Sequence, residues 1–264
     1  MTSPADGNGA AMCRMIAAVG RFELGALKTA LKTMALNRNT AYDHELRDRG
    51  ADLLHDCGWG AAFLADEGLS TVRSVRPCFE DPDFDNLDCR GADLAVLHAR
   101  RNRDRSTISI ANTHPFTVSR GRTKLAFFHN GEVRDLRQLR HCSEHEPRRT
   151  TDSERLFLHL LSGCDDPLSA RSLEAELSGV RDFTSLNCLL VDGRGLLGYA
   201  GMASATERPR YYTLWRGTGP GLRIVSSEMV EGFDVEWGAL PDGQSFRFAY
   251  PATTRRGHTD PREY

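Results

Sequence analysis

The sequence predicts an α+β fold in which strands and helices form separate layers. About ten short apolar runs, each bounded by turn-forming residues, have the length and composition of strands. About four segments carry apolar residues at helical spacing. These helices come in pairs and do not alternate with the strands, which argues against a parallel doubly wound sheet.

The composition fits a globular protein. The 264 residues, 40% hydrophobic and 27% charged, suffice for one large domain or two small ones with a sizeable core. A formal net charge of -2 leaves no basic surplus for a phosphate backbone, and no apolar run approaches the roughly 18 residues of a membrane span. Neither nucleic acid nor a membrane is therefore expected as a partner.

Cysteine usage points to a reducing compartment. The seven cysteines are odd in number and scattered, with no C-x-x-C pair. This pattern disfavours both a disulfide framework and a zinc site. We therefore expect a cytoplasmic protein with free thiols, no metal ion and no cofactor.

The chain is expected to hold one main domain. Residues 1–12 are small and polar and predict a disordered arm or a cleavable leader. Residues 253–264 predict a loose tail, which leaves residues 13–252 as the domain. Its first elements are a strand at 15–19 and an amphipathic helix at 22–36.

The remaining elements follow from apolar runs and turn residues. An acidic stretch with a proline, residues 80–88, predicts a solvated loop. Further helices are predicted at 43–54, from Asp152 or Thr151 onward, and at 169–177. Further strands are predicted at 61–64, 69–72, 94–97, 107–110, 125–128, 186–191, 196–200, 211–215, 222–225 and 246–248.

Several short motifs each have a plain structural explanation. Cys13 can be interpreted as a buried thiol at the edge of a strand. The glycines around Trp59 can be interpreted as a site of close packing between backbone segments. Asn130-Gly131 is a strong hairpin former. Their order along the chain, however, is harder to explain by packing alone.

The ordered set of motifs resembles the class II glutamine amidotransferase domain, an N-terminal-nucleophile hydrolase. The similarity is closest to the stand-alone branch that includes the γ-glutamyl amidohydrolase of ergothioneine synthesis. It covers residues 13–161 and, more weakly, 226–228. The resemblance implies a four-layer αββα sandwich. Its motifs are MCR at 12–14, GWG at 58–60, HAR at 98–100, NTHPF at 112–116, HNG at 129–131 and TDSE at 151–154.

The resemblance also implies a reaction. Cys13 would attack the side-chain amide of glutamine or of a γ-glutamyl compound and form a thioester that water hydrolyses. If Cys13 is the first residue, its α-amine, with a pKa of about 7.7–8.0, can act as the base. The family's oxyanion donors match Asn130 and Gly131.

The substrate's amino-acid end would be held by opposite charges. Arg100 matches the position that binds the α-carboxylate, although Arg101 is not excluded by its spacing. Asp152 matches the position that binds the α-ammonium. His114 and Trp59 are candidates for the pocket wall, and a core role for either is equally open.

Three functions stay open at this stage. The first is an amidohydrolase acting on a small glutamine-like or γ-glutamyl molecule. The second is a glutaminase subunit that delivers ammonia to a separate synthase. The third is a catalytically inactive binding domain that keeps the Arg100 and Asp152 pair. The segments 80–88 and 117–123 are candidates for contacting the rest of the substrate.

Overall fold

The computed structural model describes residues 12–121, 123–140, 151–164 and 169–250. Residues 1–11 of the predicted leader at 1–12 and the predicted tail at 253–264 lie outside these ranges, whereas Met12 is described and is buried rather than part of a disordered arm. No helix within them is long and apolar enough to cross a membrane. The strands are β1 (Arg14–Gly20), β2 (Trp59–Ala65), β3 (Gly68–Ser74), β4 (Leu94–Ala99), β5 (Phe116–Arg120), β6 (Thr123–Asn130), β7 (Asn187–Asp192), β8 (Gly195–Ala200), β9 (Trp215–Gly219), β10 (Leu222–Ser226), β11 (Glu236–Ala239) and β12 (Gln244–Ala249).

The helices are fewer and shorter. The longer ones are α1 (Leu24–Ala35), α3 (Asp152–Gly163) and α4 (Ala170–Leu177), and single turns form α2 (Pro82–Asp85) and α5 (Pro209–Tyr212). Thr151 caps α3 by accepting a hydrogen bond from the Glu154 N–H. Additional 3-10 turns lie at Arg47–Leu53, Arg105–Thr107, Ile110–Asn112 and Leu136–Gln138.

The strands form two antiparallel sheets. One has seven strands in the order β11-β9-β10-β1-β4-β2-β3, and the other has five in the order β12-β8-β7-β6-β5. β1 lies in the middle of the larger sheet, with Ile16 opposite Ser226 of β10 and opposite Leu97 of β4. Strand β1 is therefore held on both sides by neighbouring strands.

Three apolar clusters separate four layers. On β1, Ile16 and Ala18 pack in one cluster with α1, whereas Met15, Ala17 and Val19 pack in another with residues of the smaller sheet. This is the period-2 alternation of a strand that is buried on both faces. The alternation puts α1 outside the larger sheet and the smaller sheet against its inner face.

The smaller sheet repeats the arrangement. Phe128 of β6 faces the larger sheet, and Phe127 packs with α3 and α4 on the other side. The ring of Phe127 stacks on Phe157 of α3 with centroids 5.0 Å apart. The α+β class and the four-layer αββα sandwich are both confirmed.

Two sequence-based helix and loop assignments need correction. The segment 43–54 is a kinked 3-10 helix over Arg47–Leu53 because Gly50 has a φ of 49°. The acidic segment 80–88 is not a simple solvated loop, since it contains α2. Phe84 is fully buried there against Trp59, and Asp81 is buried as well.

Some predicted strands and turns were also wrong. Residues 107–110 do not form a strand but join two 3-10 turns, Arg105–Thr107 and Ile110–Asn112, which are capped by Asp104 and Ser109. Residues 211–215 begin in α5, because Pro209 at its start favours a helical turn, and β9 starts only at Trp215. The Asn130-Gly131 pair does not close a hairpin, because the chain leaves β6 there and returns to pair with β6 only at β7. The edge strand β11 was not predicted.

Candidate active site

A cavity of about 640 Å³ opens where several strands and one helix begin or end. Cys13 precedes β1 and Arg100 follows β4, and these ends meet because Arg14 pairs with Ala99 in antiparallel register. Gly131 follows β6 of the other sheet, and Asp152 begins α3. All four of the residues that the sequence singled out at these points, namely Cys13, Arg100, Gly131 and Asp152, line the cavity.

The Cys13 thiol is buried and protonated. Its Sγ donates to the main-chain oxygen of Arg101 at 3.9 Å, a long contact for a thiol. Burial raises the pKa of the thiol to about 11, although a backbone hydrogen bond at Arg101 and the positive charge of Arg100 oppose the rise. A carbonyl can only accept a hydrogen bond, so this contact does not activate the sulfur.

Met12, the residue before Cys13, is fully buried. It belongs to a small apolar cluster that also contains Leu46, Leu53 and two tyrosines, Tyr211 and Tyr212. With Met12 attached, the nitrogen of Cys13 is an amide without a basic lone pair.

Asn130 is tied to the strand that follows Cys13. Its Nδ2 donates to Ser227 Oγ at 3.1 Å, and the same oxygen accepts the Met15 N–H at 3.0 Å. An amide nitrogen has two hydrogens, so one remains for another acceptor. Asn130 is almost fully buried and is not among the residues that line the cavity.

Gly131 is a glycine because the backbone passes too close for a side chain. A Cβ placed there would lie 1.8 Å from the main-chain oxygen of Ser185 and 2.8 Å from His129 Nε2. Only a residue without a Cβ therefore fits at position 131, where the chain lines the cavity.

The two neighbouring arginines differ in what they bind. Arg101 donates to the main-chain oxygens of Leu54 at 2.8 Å and Asp52 at 3.0 Å, so its guanidinium holds a loop. Arg100 donates through NH2 to Thr107 Oγ1 at 3.2 Å. Its buried NH1 has no hydrogen-bond partner among the described residues. Arg100 thus keeps donor capacity for a ligand.

Asp152 has a divided role. Its Oδ2 accepts the Val133 N–H at 2.9 Å, which fixes the carboxylate at the start of α3. The second carboxylate oxygen retains acceptor capacity. Asp152 and Arg100 thus bring opposite charges to one cavity.

The two candidates for the pocket wall, His114 and Trp59, lie in different places. His114 lines the cavity, packs against His98 with ring centroids 4.3 Å apart and the rings tilted by 45°, and has a pKa well below its usual value because it is buried. Trp59 lies in the cluster against α1, donates from Nε1 to Asp81 Oδ2 at 2.9 Å, and does not line the cavity. The structure gives Trp59 a core role.

The segments expected to contact the rest of the substrate lie elsewhere. Neither residues 80–88 nor the described residues of 117–123 contribute to the cavity lining, and residues 117–120 belong to β5. Asp56 forms a surface pair with Arg105 at 3.0 Å. Within the described ranges, no three His, Cys, Asp or Glu side chains are placed to hold a metal ion.

Sequence reasoning missed the polar residues beneath the site. Arg14 and Glu228 form a fully buried pair, and Ser227 joins Asn130 to β1. His129 and Ser153 hydrogen bond to each other beside the cavity. Each of them lies within a segment that carries the family resemblance, at 12–14, 129–131, 151–154 or 226–228, but its residue type alone did not indicate these contacts.

Comparison with known proteins agrees with the fold. The profile of the class II glutamine amidotransferases matches residues 31–212. The chain belongs to the class II glutamine amidotransferase family. YafJ of Escherichia coli (strain K12), provisionally named as a glutamine amidotransferase, is 27% identical over 160 residues, which is 55% of this chain and 60% of that protein. The match therefore spans less than two thirds of this relative's length.

Solved structures share the family's fold. An allosteric regulatory enzyme of purine biosynthesis superposes with a TM-score of 0.58 at 16% identity, covering 91% of this chain and 50% of that one. A glutamine aminotransferase class II domain protein from Silicibacter pomeroyi gives a TM-score of 0.54 at 19% identity, covering 88% and 93%. At this identity the likeness concerns the N-terminal-nucleophile fold alone.

Proposed function

We propose that this amidotransferase-family protein is an amidohydrolase whose nucleophile is Cys13 at a free N-terminus, acting on glutamine or a γ-glutamyl compound. One observation carries the proposal. Cys13, Arg100, Gly131 and Asp152 are far apart in the chain but line a single cavity. This set contains a nucleophile, a backbone donor and one binding group for each charge of an amino acid.

The base in this proposal is the α-amine of Cys13. The protonated thiol, with a pKa of about 11, needs a base, and its hydrogen-bond partner in the structure is a carbonyl. A free α-amine with a pKa of about 7.7–8.0 is matched to neutral pH. Working protein would therefore begin at Cys13, either from a start at Met12 followed by removal of that methionine or by cleavage of a leader.

The reaction has two steps. The α-amine takes the thiol proton as sulfur bonds to the amide carbon, and the negative oxygen forms opposite the Gly131 N–H and the Asn130 side chain. The carbon–nitrogen bond then breaks, and the leaving amine takes the proton. Water adds to the thioester and releases the γ-carboxylate and the thiol.

In this proposal the substrate is oriented by the two charged groups on its α-carbon, the carboxylate and the ammonium. Arg100 NH1, which has no partner among the described residues, suits a carboxylate, and the Asp152 oxygen that does not bind Val133 suits an ammonium. Arg101 is the weaker candidate because its guanidinium already binds two carbonyls.

The size of the cavity supports a substrate larger than glutamine. Its volume of about 640 Å³ falls in the range of roughly 300–1,000 Å³ that holds drug-sized ligands. Glutamine would fill only part of this space. A γ-glutamyl compound whose leaving group is larger than ammonia would use the rest.

The proposal is tested by comparing two forms of one chain. Protein that begins at Cys13 and protein that retains residues 1–12 are verified by intact mass, then incubated with L-glutamine and a series of γ-glutamyl dipeptides. Free glutamate is measured with a coupled dehydrogenase assay. Glutamate release is expected only from the form that begins at Cys13.

Cys13→Ala is the matched control because it keeps the free α-amine and the cavity. Equal glutamate release by this variant and by the form that begins at Cys13 on every substrate would refute the proposed activity and favour a binding domain. Activity from a chain with Met12 verifiably attached would overturn the assignment of the base.

A further inference from the structure

The imidazole of His129 lies beside the cavity with both nitrogens engaged. Nε2 is 3.1 Å from the main-chain oxygen of Ser185, and Nδ1 is 2.9 Å from Ser153 Oγ. The ring is almost fully buried. Burial lowers the pKa of His129, while the nearby Asp152 opposes that shift.

These contacts fix the tautomer of the ring. A carbonyl oxygen has no hydrogen to give, so the Nε2 of His129 must donate to Ser185. A neutral imidazole carries one N–H, which leaves Nδ1 as an acceptor. In the hydrogen bond between Nδ1 and Ser153 Oγ, the hydrogen therefore belongs to the hydroxyl of Ser153.

The direction of this bond decides what Ser153 offers to a ligand. A hydroxyl has a single hydrogen and two lone pairs. The hydrogen is used on His129, so on its cavity side Ser153 can only accept. Ser153 lines the cavity next to Asp152.

We infer that Ser153 Oγ accepts a hydrogen bond from the α-ammonium of the substrate, as a second acceptor beside Asp152. This inference rests on the proposed function, since it concerns the same site. An ammonium has three N–H donors, and one oxygen of Asp152 is already occupied by the Val133 N–H. A neighbouring acceptor that cannot donate satisfies one more of them and disfavours a ligand that lacks the ammonium.

The experiment uses two substrates that differ only in that group. L-Glutamine carries the α-ammonium, and glutaramate, its deamino analogue, does not. The value of kcat/KM is measured for both with the form that begins at Cys13 and with its Ser153→Ala variant. Ser162→Ala is the control, because Ser162 is an exposed residue of α3 whose hydroxyl bonds only within its own helix at His159 O.

Ser153→Ala should lower kcat/KM for L-glutamine by roughly 10- to 100-fold, the size expected for a hydrogen bond to a charged group. The value for glutaramate should stay within about twofold, and Ser162→Ala should change neither. An equal loss on both substrates would overturn the inference, because it would mark Ser153 as a structural residue.

A binding measurement separates this inference from the reaction itself. Calorimetry with L-glutamine and glutaramate is done on Cys13→Ala protein, with and without Ser153→Ala. A loss of affinity confined to L-glutamine supports the ammonium contact even if wild type hydrolyses nothing, in which case only the catalytic proposal fails. Equal losses, or no binding of either ligand, overturn the contact.

Discussion

Arg14 Nε lies 2.9 Å from Glu228 Oε1, and both side chains are about 1% exposed. The guanidinium of Arg14 also lies over the ring of Tyr211, 4.0 Å from its centroid. Asn39 Nδ2 donates to the other oxygen of Glu228 at 2.7 Å. This buried pair joins β1 to the segment after β10, directly behind the residue that we propose as nucleophile.

Breaking the Arg14–Glu228 pair should strongly destabilise the protein. Removing one partner leaves a buried charge without compensation, which typically costs about 3–5 kcal/mol. Arg14→Met and Glu228→Gln are each expected to lose that much in urea unfolding, and the double variant should lose less than the sum. Arg90→Met, which removes an exposed ion pair with Asp88, should leave the unfolding free energy unchanged. Additive losses would refute coupling between the two buried side chains.

The same pair predicts an acid-dependent loss of stability. Burial alone would raise the pKa of Glu228, but the charge of Arg14, the neighbouring His44 and the hydrogen bond from Asn39 lower it overall. A carboxyl whose pKa is lower in the folded state stabilises the protein above its unfolded pKa of about 4.3, and this contribution is lost as the pH falls through the folded pKa.

Urea unfolding between pH 3 and pH 6 checks this expectation. The free-energy difference between wild type and Glu228→Gln should shrink as the pH falls below about 4.3, because protonated Glu228 resembles glutamine. Other carboxylates titrate in both proteins and cancel in the difference. A gap that stays constant over this range would contradict the lowered pKa.

Arg100 and Arg101 should behave differently in kinetics. Arg100→Ala removes a guanidinium with free donor capacity at the cavity and is expected to raise KM by roughly 10- to 100-fold. Arg101→Ala removes contacts to Leu54 and Asp52, so it should lower the melting temperature while KM changes little. The reverse pattern would make Arg101 the carboxylate binder.

Gly131→Ala should impair both folding and turnover. The added methyl group would meet the Ser185 carbonyl at 1.8 Å, and backbone atoms yield little, so a cost of about 1–3 kcal/mol is expected. A displaced oxyanion donor should lower kcat by about 100- to 1000-fold. Gly193→Ala is the matched control, since nothing lies within 4 Å of its added Cβ. Full activity in Gly131→Ala would remove its N–H from the proposed mechanism.

The reactivity of the Cys13 thiol should depend on whether Met12 is attached to it. With Met12 attached, the thiol has a pKa of about 11 and no adjacent base, so iodoacetamide should label it slowly at pH 7.5. Freeing the α-amine supplies a base and should accelerate labelling. Peptide mapping follows the rate, with the half-buried Cys89 as internal reference. Equal labelling of Cys13 in both forms would argue against the amine as base.

Local patterns were sufficient for most of the fold. Helix α1 and strands such as β4 and β10 were predicted to within about two residues, because a period of 3.6 or 2 in apolar residues records which face is buried. The errors occur where a single residue overrides the pattern. Gly50 kinks a predicted helix, and Pro209 starts a helical turn where a strand was expected.

The sequence by itself determined the family resemblance, the α+β class and the candidates Cys13, Arg100, Gly131 and Asp152. The tertiary structure decided which candidates share a cavity, and it placed Trp59 in the core instead. It alone joined Arg14 to Glu228 and His129 to Ser153, which lie far apart in sequence. The physical reason is that periodicity reports burial along one element, whereas charge pairing and hydrogen-bond direction depend on how different elements meet.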